Sequence, residues 1–152
     1  MEVMKKILYV FLTVMLVSAF SSCDLETVDN GKLDGFWHLE RVDTLLTGGH
    51  RDLSNAKLFW SFEVRLMALQ GGSAPFLYRF HQTGDSLIIY SPYTNDGHEE
   101  GNGVGGNKPV KDSSLLKDYG IEDLEVRYEK ETLSGSRMVL RSHRLRLYFR
   151  KF

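Results

Sequence analysis

Three glycines, Gly101, Gly103 and Gly106, carry the Gly-x-Gly-x-x-Gly spacing of a dinucleotide-binding loop. That chemistry requires the loop to leave a buried strand and open into a helix, so that N-terminal N–H groups meet the pyrophosphate. Asn107, Lys108 and Pro109 follow instead, and the spacing reads as a flexible loop. Five histidines, His38, His50, His81, His98 and His143, lie on separate expected elements, whereas a zinc centre needs at least two or three to converge. His98-Glu99-Glu100 lacks the second histidine of a helical zinc motif, so no metal site is expected. No serine stands on a strand-turn-helix elbow that would expose it as a nucleophile. The chain is therefore not expected to be an enzyme, and no cofactor is implied.

The lone thiol, Cys23, cannot form an intramolecular disulfide or a cysteine-rich zinc centre. With 19 basic against 20 acidic side chains there is no bulk cationic field to neutralise phosphates, which excludes a general nucleic-acid binder. At 152 residues, 42% apolar and 26% charged, the composition suits one globular domain and leaves no room for a second.

The first 22 residues differ in kind from the rest. Lys5 and Lys6 precede an apolar run from Ile7 to Phe20, broken only by Thr13 and Ser18, and the small pair Ser21-Ser22 leads into Cys23. As a helix the run would reach about 21 Å, short of the roughly 30 Å of hydrocarbon that a spanning helix crosses. It reads as a cleaved signal peptide. A cysteine directly after small residues at the end of such a run resembles the lipobox of bacterial lipoproteins, although Phe20 departs from the usual aliphatic residue. The resemblance implies that Cys23 is acylated and becomes the new N-terminus, attached to the membrane through its acyl chains. Asp24 to Leu33 is too polar to pack and spans at most about 35 Å if extended, so residues 23–33 read as a solvated, lipidated tether. Their early acidic residues resemble the export signals that send some Bacteroidota lipoproteins to the cell surface. The expected location is the cell envelope, on the outer membrane, with exposure at the surface open.

Residues 34–152 must then position any site, and their dominant apolar period is two. Leu58, Trp60, Phe62, Val64, Leu66 and Ala68 share one face of a stretch read as one long strand from Leu58 to Leu69. Asp34 to Asp43 alternates more loosely, and Phe76–His81 with Leu87–Tyr90 reads as a hairpin. In the last third, Leu124, Val126 and Tyr128, then Met138 and Leu140, then Leu145, Leu147 and Phe149 mark three inward faces. Shared faces require Glu129 opposite Arg141, through an odd-length loop at Ser134–Ser136. A two-residue turn at Ser142-His143 would set Leu140 against Leu145 and Met138 against Leu147. Ser91 to Lys111 reads as a mobile glycine-rich loop. Asp112 or Ser113 can cap a short helix through Leu115, Leu116 and Tyr119, with Gly120 as left-handed terminator.

Seven or eight short antiparallel strands with one short helix suggest an all-β, up-and-down barrel, which removes its edges by closing. Gly35-Phe36-Trp37 at the start of the first strand resembles the Gly-x-Trp signature of lipocalins. Leu58-Phe59-Trp60-Ser61-Phe62-Glu63-Val64, Tyr119-Gly120-Ile121 and the run from Met138 to Phe152 are similar to the small lipocalin-like lipoproteins of Bacteroidota, a group with no activity assigned to it. The resemblance implies a lipocalin-like barrel with Trp37 at its closed end. Two departures stand out: the helix precedes the last three strands, and Lys151 substitutes for the arginine that covers the tryptophan.

A barrel of this kind holding a small hydrophobic or amphipathic ligand would line its mouth with Trp60, Phe62, Tyr78 and Phe80, with Arg41 or Lys130 orienting a polar end. The same aromatics also read as plain barrel filling. The rival function is a protein- or glycan-interaction module that uses the glycine-rich loop and the basic C-terminal hairpin, the barrel being scaffold. From Thr132 onward there is no acidic residue, while Arg137, Arg141, Arg144, Arg146, Arg150 and Lys151 supply six positive charges. Those charges face a strand carrying Asp123, Glu125, Glu129 and Glu131, and read as its wet partner.

Overall fold

A computed structural model describes residues 1, 3–6, 29–96 and 106–152. The expected signal peptide, Cys23 and the glycines from Gly97 to Gly105, with His98, lie outside the described residues. Nine strands form one antiparallel sheet: β1 Gly35–Thr44, β2 His50–Asp52, β3 Phe59–Glu63, β4 Leu66–Gln70, β5 Phe76–Gln82, β6 Ser86–Thr94, β7 Val126–Leu133, β8 Arg137–Arg141 and β9 Leu145–Lys151. Pairing of β1 with β9 closes eight of them into a barrel, and β2 adds to the far half of β1. Closure gives each of the eight barrel strands a neighbour on both sides, so none of them is an edge strand.

Alternation decides which residues fill the interior, and it is interrupted where the chain turns or bulges. Leu58 to Leu69 is two strands rather than the single one expected. Leu58, Trp60 and Phe62 point inward, a two-residue turn at Val64-Arg65 follows, and Met67 and Leu69 resume the inward face. The turn reverses the parity, so Val64 and Leu66 are exposed at 42% and 48%. The sequence hides this turn because Val64 takes φ +54°, a conformation that Gly or Asn normally announces.

In β1 an extra residue at Glu40 shifts the register against β9, and the inward set passes from Trp37 and Leu39 to Val42. Arg41 therefore faces outward, contrary to its expected inward position. A second extra residue lies at Ser91 in β6, whose φ is +51°, and a third at Glu131 in β7. The pairing of Glu129 with Arg141 is as the alternation requires. The parity comes from the bulge at Glu131, however, because the tip itself is an even, two-residue turn at Gly135-Ser136.

Between β8 and β9 the turn is His143-Arg144, closed by Ser142, whose Oγ accepts from Leu145 N at 3.0 Å. Leu140 thus opposes Leu147 and Met138 opposes Phe149, two residues beyond the expected pairing on the same face. The expected loop from Ser91 is also shorter. Strand β6 runs to Thr94, and the chain returns beside it with Tyr93 paired to Pro109.

The expected helix is a 3₁₀ helix, Ser113–Tyr119, capped by Asp112, whose carboxylate accepts from Ser114 N at 2.9 Å. Gly120 ends it at φ +75°. A second 3₁₀ turn, Gly31–Leu33, precedes β1 and buries Leu33, which the sequence had placed in the solvated tether.

Candidate functional site

The barrel interior is aromatic and closed at both ends. Trp60, the central ring, lies 5.0 Å from Phe149, 5.8 Å from Tyr128 and 6.4 Å from Phe62 between centroids. Phe62 meets Phe80 edge-on at 5.2 Å. Trp60, Phe62, Tyr78 and Phe80 all belong to this buried core, each 8% exposed or less. Their polar atoms are occupied: Trp60 Nε1 donates to Tyr119 O at 3.2 Å and Tyr78 Oη to Asp123 O at 3.4 Å. Burial pushes the Tyr78 and Tyr128 phenols well above the ordinary tyrosine value, so both stay neutral hydroxyls.

The end at which β1 stops and β9 begins is plugged by the segment around the 3₁₀ helix. Leu116, Tyr119 and Ile121 are fully buried there. Tyr119 Oη donates to Ala74 O at 2.7 Å and accepts from Gly72 N at 2.9 Å. Two glycines make room for the plug. A Cβ on Gly72 would stand 2.7 Å from the Tyr119 ring, and one on Gly120 2.8 Å from Leu147. The interior packing of Leu116, Tyr119 and Ile121 is what the sequence reading missed, whereas Tyr128 and Phe149 point inward as their alternation requires. The one local signal was the pair Gly71-Gly72 opposite Tyr119-Gly120-Ile121.

At the opposite end Leu33 covers the core, and its carbonyl accepts from Trp37 Nε1 at 2.8 Å. Lys151 stretches across the tryptophan, its Nζ 5.0 Å from the ring centroid and 3.3 Å from Lys32 O. A Cβ on Gly35 would fall 2.8 Å from Lys151 Cε, so the glycine of Gly-x-Trp leaves the path for this lysine. Lys130 seals the same end. Its Nζ donates to Gln82 Oε1 at 3.1 Å and to Thr83 O, and burial lowers its pKa. Its polar contacts are thus with the β5–β6 turn.

Arg41 is not part of the interior. It pairs with Asp43 on the outer surface at 2.5 Å, and its guanidinium lies 5.4 Å from the Tyr148 centroid. His38 Nε2 is held by Ala56 O, and its Nδ1 lies 3.8 Å from Glu40 Oε1. The basic hairpin is neutralised in part by facing carboxylates: Arg146 meets Glu131 at 2.9 Å, Arg141 meets Glu131 at 3.8 Å and Arg150 meets Glu40 at 2.5 Å.

Comparison with known proteins agrees with this architecture. The family model for the lipocalin-like domain matches residues 17–152. The chain belongs to the lipocalin-like domain family. Two solved structures share the fold of this lipocalin-like chain. One is a lipocalin-like protein from Bacteroides uniformis, at TM-score 0.58 and 20% identity over 80% of this chain and 100% of that one. The other is an uncharacterized protein from Bacteroides eggerthii, at TM-score 0.55 and 19% identity over 79% of this chain and 99% of that one. No curated protein matches the chain. The lipocalin-like barrel is consistent with a ligand-binding scaffold, and here its end is occupied by the chain's own Leu116, Tyr119 and Ile121.

Proposed function

We propose that this protein is a lipid-anchored envelope barrel that binds one small hydrophobic or amphipathic molecule in the end now filled by the plug. The carrying observation is chemical: the mouth is filled by Leu116 and Tyr119 of a short 3₁₀ helix and by Ile121 just after it, not by the strands themselves. A seven-residue 3₁₀ helix is a weak element on its own, held by tertiary contacts that a ligand can replace. Trp60, Phe62, Tyr78 and Phe80 then form the floor and walls of the vacated space. A ligand gains the apolar burial that Leu116 and Tyr119 now supply, and its affinity is reduced by the fraction of time the plug is closed. Lys130, at the far end, holds that end shut.

Native mass spectrometry of the acyl-free barrel, with displacement of a fluorescent fatty acid, tests this reading. One bound molecule per barrel, with loss of amide protection in residues 112–121 on binding, is the expected result. A barrel that takes up no apolar ligand and keeps that protection overturns it.

A second reading is favoured by the same burial: with Trp60 and Tyr78 sealed and their polar atoms occupied, the barrel serves as a scaffold for a protein or glycan partner. Loss of a pull-down partner on deleting Asn95–Lys108, with small-molecule binding absent, would distinguish it.

A further inference from the structure

We propose that the rim of the barrel around Val64, Leu66 and Phe152 rests on the phospholipid surface, so that the plugged mouth faces away from the membrane. This rests on the acylation of Cys23. Three observations carry it.

The first is where the chain leaves the barrel. Asn30 is tied to this rim: its Nδ2 donates to Val64 O at 2.9 Å, and its carbonyl accepts from Gln82 Nε2 at 3.0 Å. Six residue steps separate Cys23 from Asp29, a reach of at most about 22 Å when fully extended. Acyl chains on Cys23 therefore hold this rim near the bilayer, and the opposite end a strand's length farther out.

The second is what the rim exposes. Val64 and Leu66 are 42% and 48% exposed, and Phe152 is 82% exposed. Phe152 is not a loose end: its N donates to Phe36 O at 2.8 Å, and its ring stands 6.2 Å from Phe36 and 5.6 Å from Phe59. Strands β9, β1, β3 and β4 are consecutive neighbours around the barrel, so these side chains occupy one arc of the rim. Val64 also holds an apolar, β-branched side chain at φ +54°, where Asn or Gly would be unstrained.

The third is charge. Lys32 and Arg65, with Arg79 on the adjoining β5, are exposed at this rim, against the exposed carboxylates of Asp29 and Glu63. Cations beside shallow apolar groups suit an interface of anionic headgroups and acyl chains.

The test uses the acylated full chain in vesicles of phosphatidylethanolamine and phosphatidylglycerol. An environment-sensitive fluorophore is placed at Leu66→Cys or, at the opposite end, at Leu46→Cys, where Leu46 is 75% exposed. Brominated acyl chains are expected to quench the label at position 66 several-fold more than at 46. Equal quenching at both positions, or none at 66 in vesicle-bound protein, overturns this orientation alone. Efficient disulfide cross-linking of Leu66→Cys between copies, in place of lipid quenching, assigns the rim to a second copy and also overturns it. Mass spectrometry that finds Cys23 unmodified overturns both this inference and the anchoring on which it rests. A Val64→Asp/Leu66→Asp chain that keeps its far-UV dichroism and loses blue-shifted emission from a label at Phe152→Cys supports it.

Discussion

The Lys151 ammonium lies 5.0 Å from the centroid of the Trp37 ring, and Gly35 is the residue that lets it pass. One residue comes from the start of the first strand and the other from the end of the last. Their contact therefore joins the seam at which the barrel closes. Lys151→Ala is expected to lower stability by about 0.5–1 kcal/mol, and Lys151→Arg to preserve it, since either cation can stack on the indole. Gly35→Ala should cost about 1–3 kcal/mol, because its φ of +114° disfavours any side chain and the added Cβ meets Lys151. Urea unfolding followed by tryptophan fluorescence measures all three.

The turn between β3 and β4 stores strain that a single substitution relieves. Val64→Asn should raise unfolding free energy by about 1 kcal/mol, since asparagine tolerates the left-handed region that valine resists. The check is a shift of the urea midpoint at unchanged slope. A lower midpoint would show that the valine side chain makes contacts outweighing its strain.

The plug depends on one phenol. Tyr119→Phe removes the donor to Ala74 O and the acceptor for Gly72 N, an expected loss of about 1–3 kcal/mol. Gly72→Ala acts from the other side by driving a methyl into the Tyr119 ring. Either variant should speed hydrogen exchange in residues 112–121 while leaving β7–β9 protected, and should increase binding of a fluorescent fatty acid to the opened mouth.

Acid should loosen the seam where β1 meets β9. Burial alone would raise the Asp43 carboxyl, but bonds from Arg41 and from Tyr148 Oη at 3.0 Å outweigh it, and the net shift is downward. A carboxylate whose folded pKa lies below its unfolded value stabilises the fold above the unfolded pKa of about 3.9, and this contribution disappears as pH falls through the folded one. Asp43→Asn should therefore be less stable than the parent at pH 7 and converge on it below the ordinary carboxylate range. Thermal melts of both proteins across that interval measure the convergence.

Much of the fold was legible in the order of residues. Alternation within Phe76–His81, Leu87–Tyr90 and Leu145–Phe149 is a local property, because successive side chains of a strand must face opposite ways. The helix signals were equally local: Asp112 capping Ser114 N, and Gly120 in the left-handed region. The aromatic quartet Trp60, Phe62, Tyr78 and Phe80 followed from the same parity, since each is an inward position of an amphipathic strand.

What tertiary structure decided was every place where parity changes. The extra residues at Glu40, Ser91 and Glu131 exist only relative to the strand across from them, so Arg41 turned outward for a reason absent from its own neighbourhood. The turn at Val64-Arg65 likewise carries no turn residue, and pairing of β3 with β4 imposes it against local preference. Closure of the mouth is the most nonlocal result. Tyr119 meets Gly72 and Ala74 across more than forty residues of chain, and apolar burial, which has no direction of its own, acquires one only when the strands have fixed where the space lies.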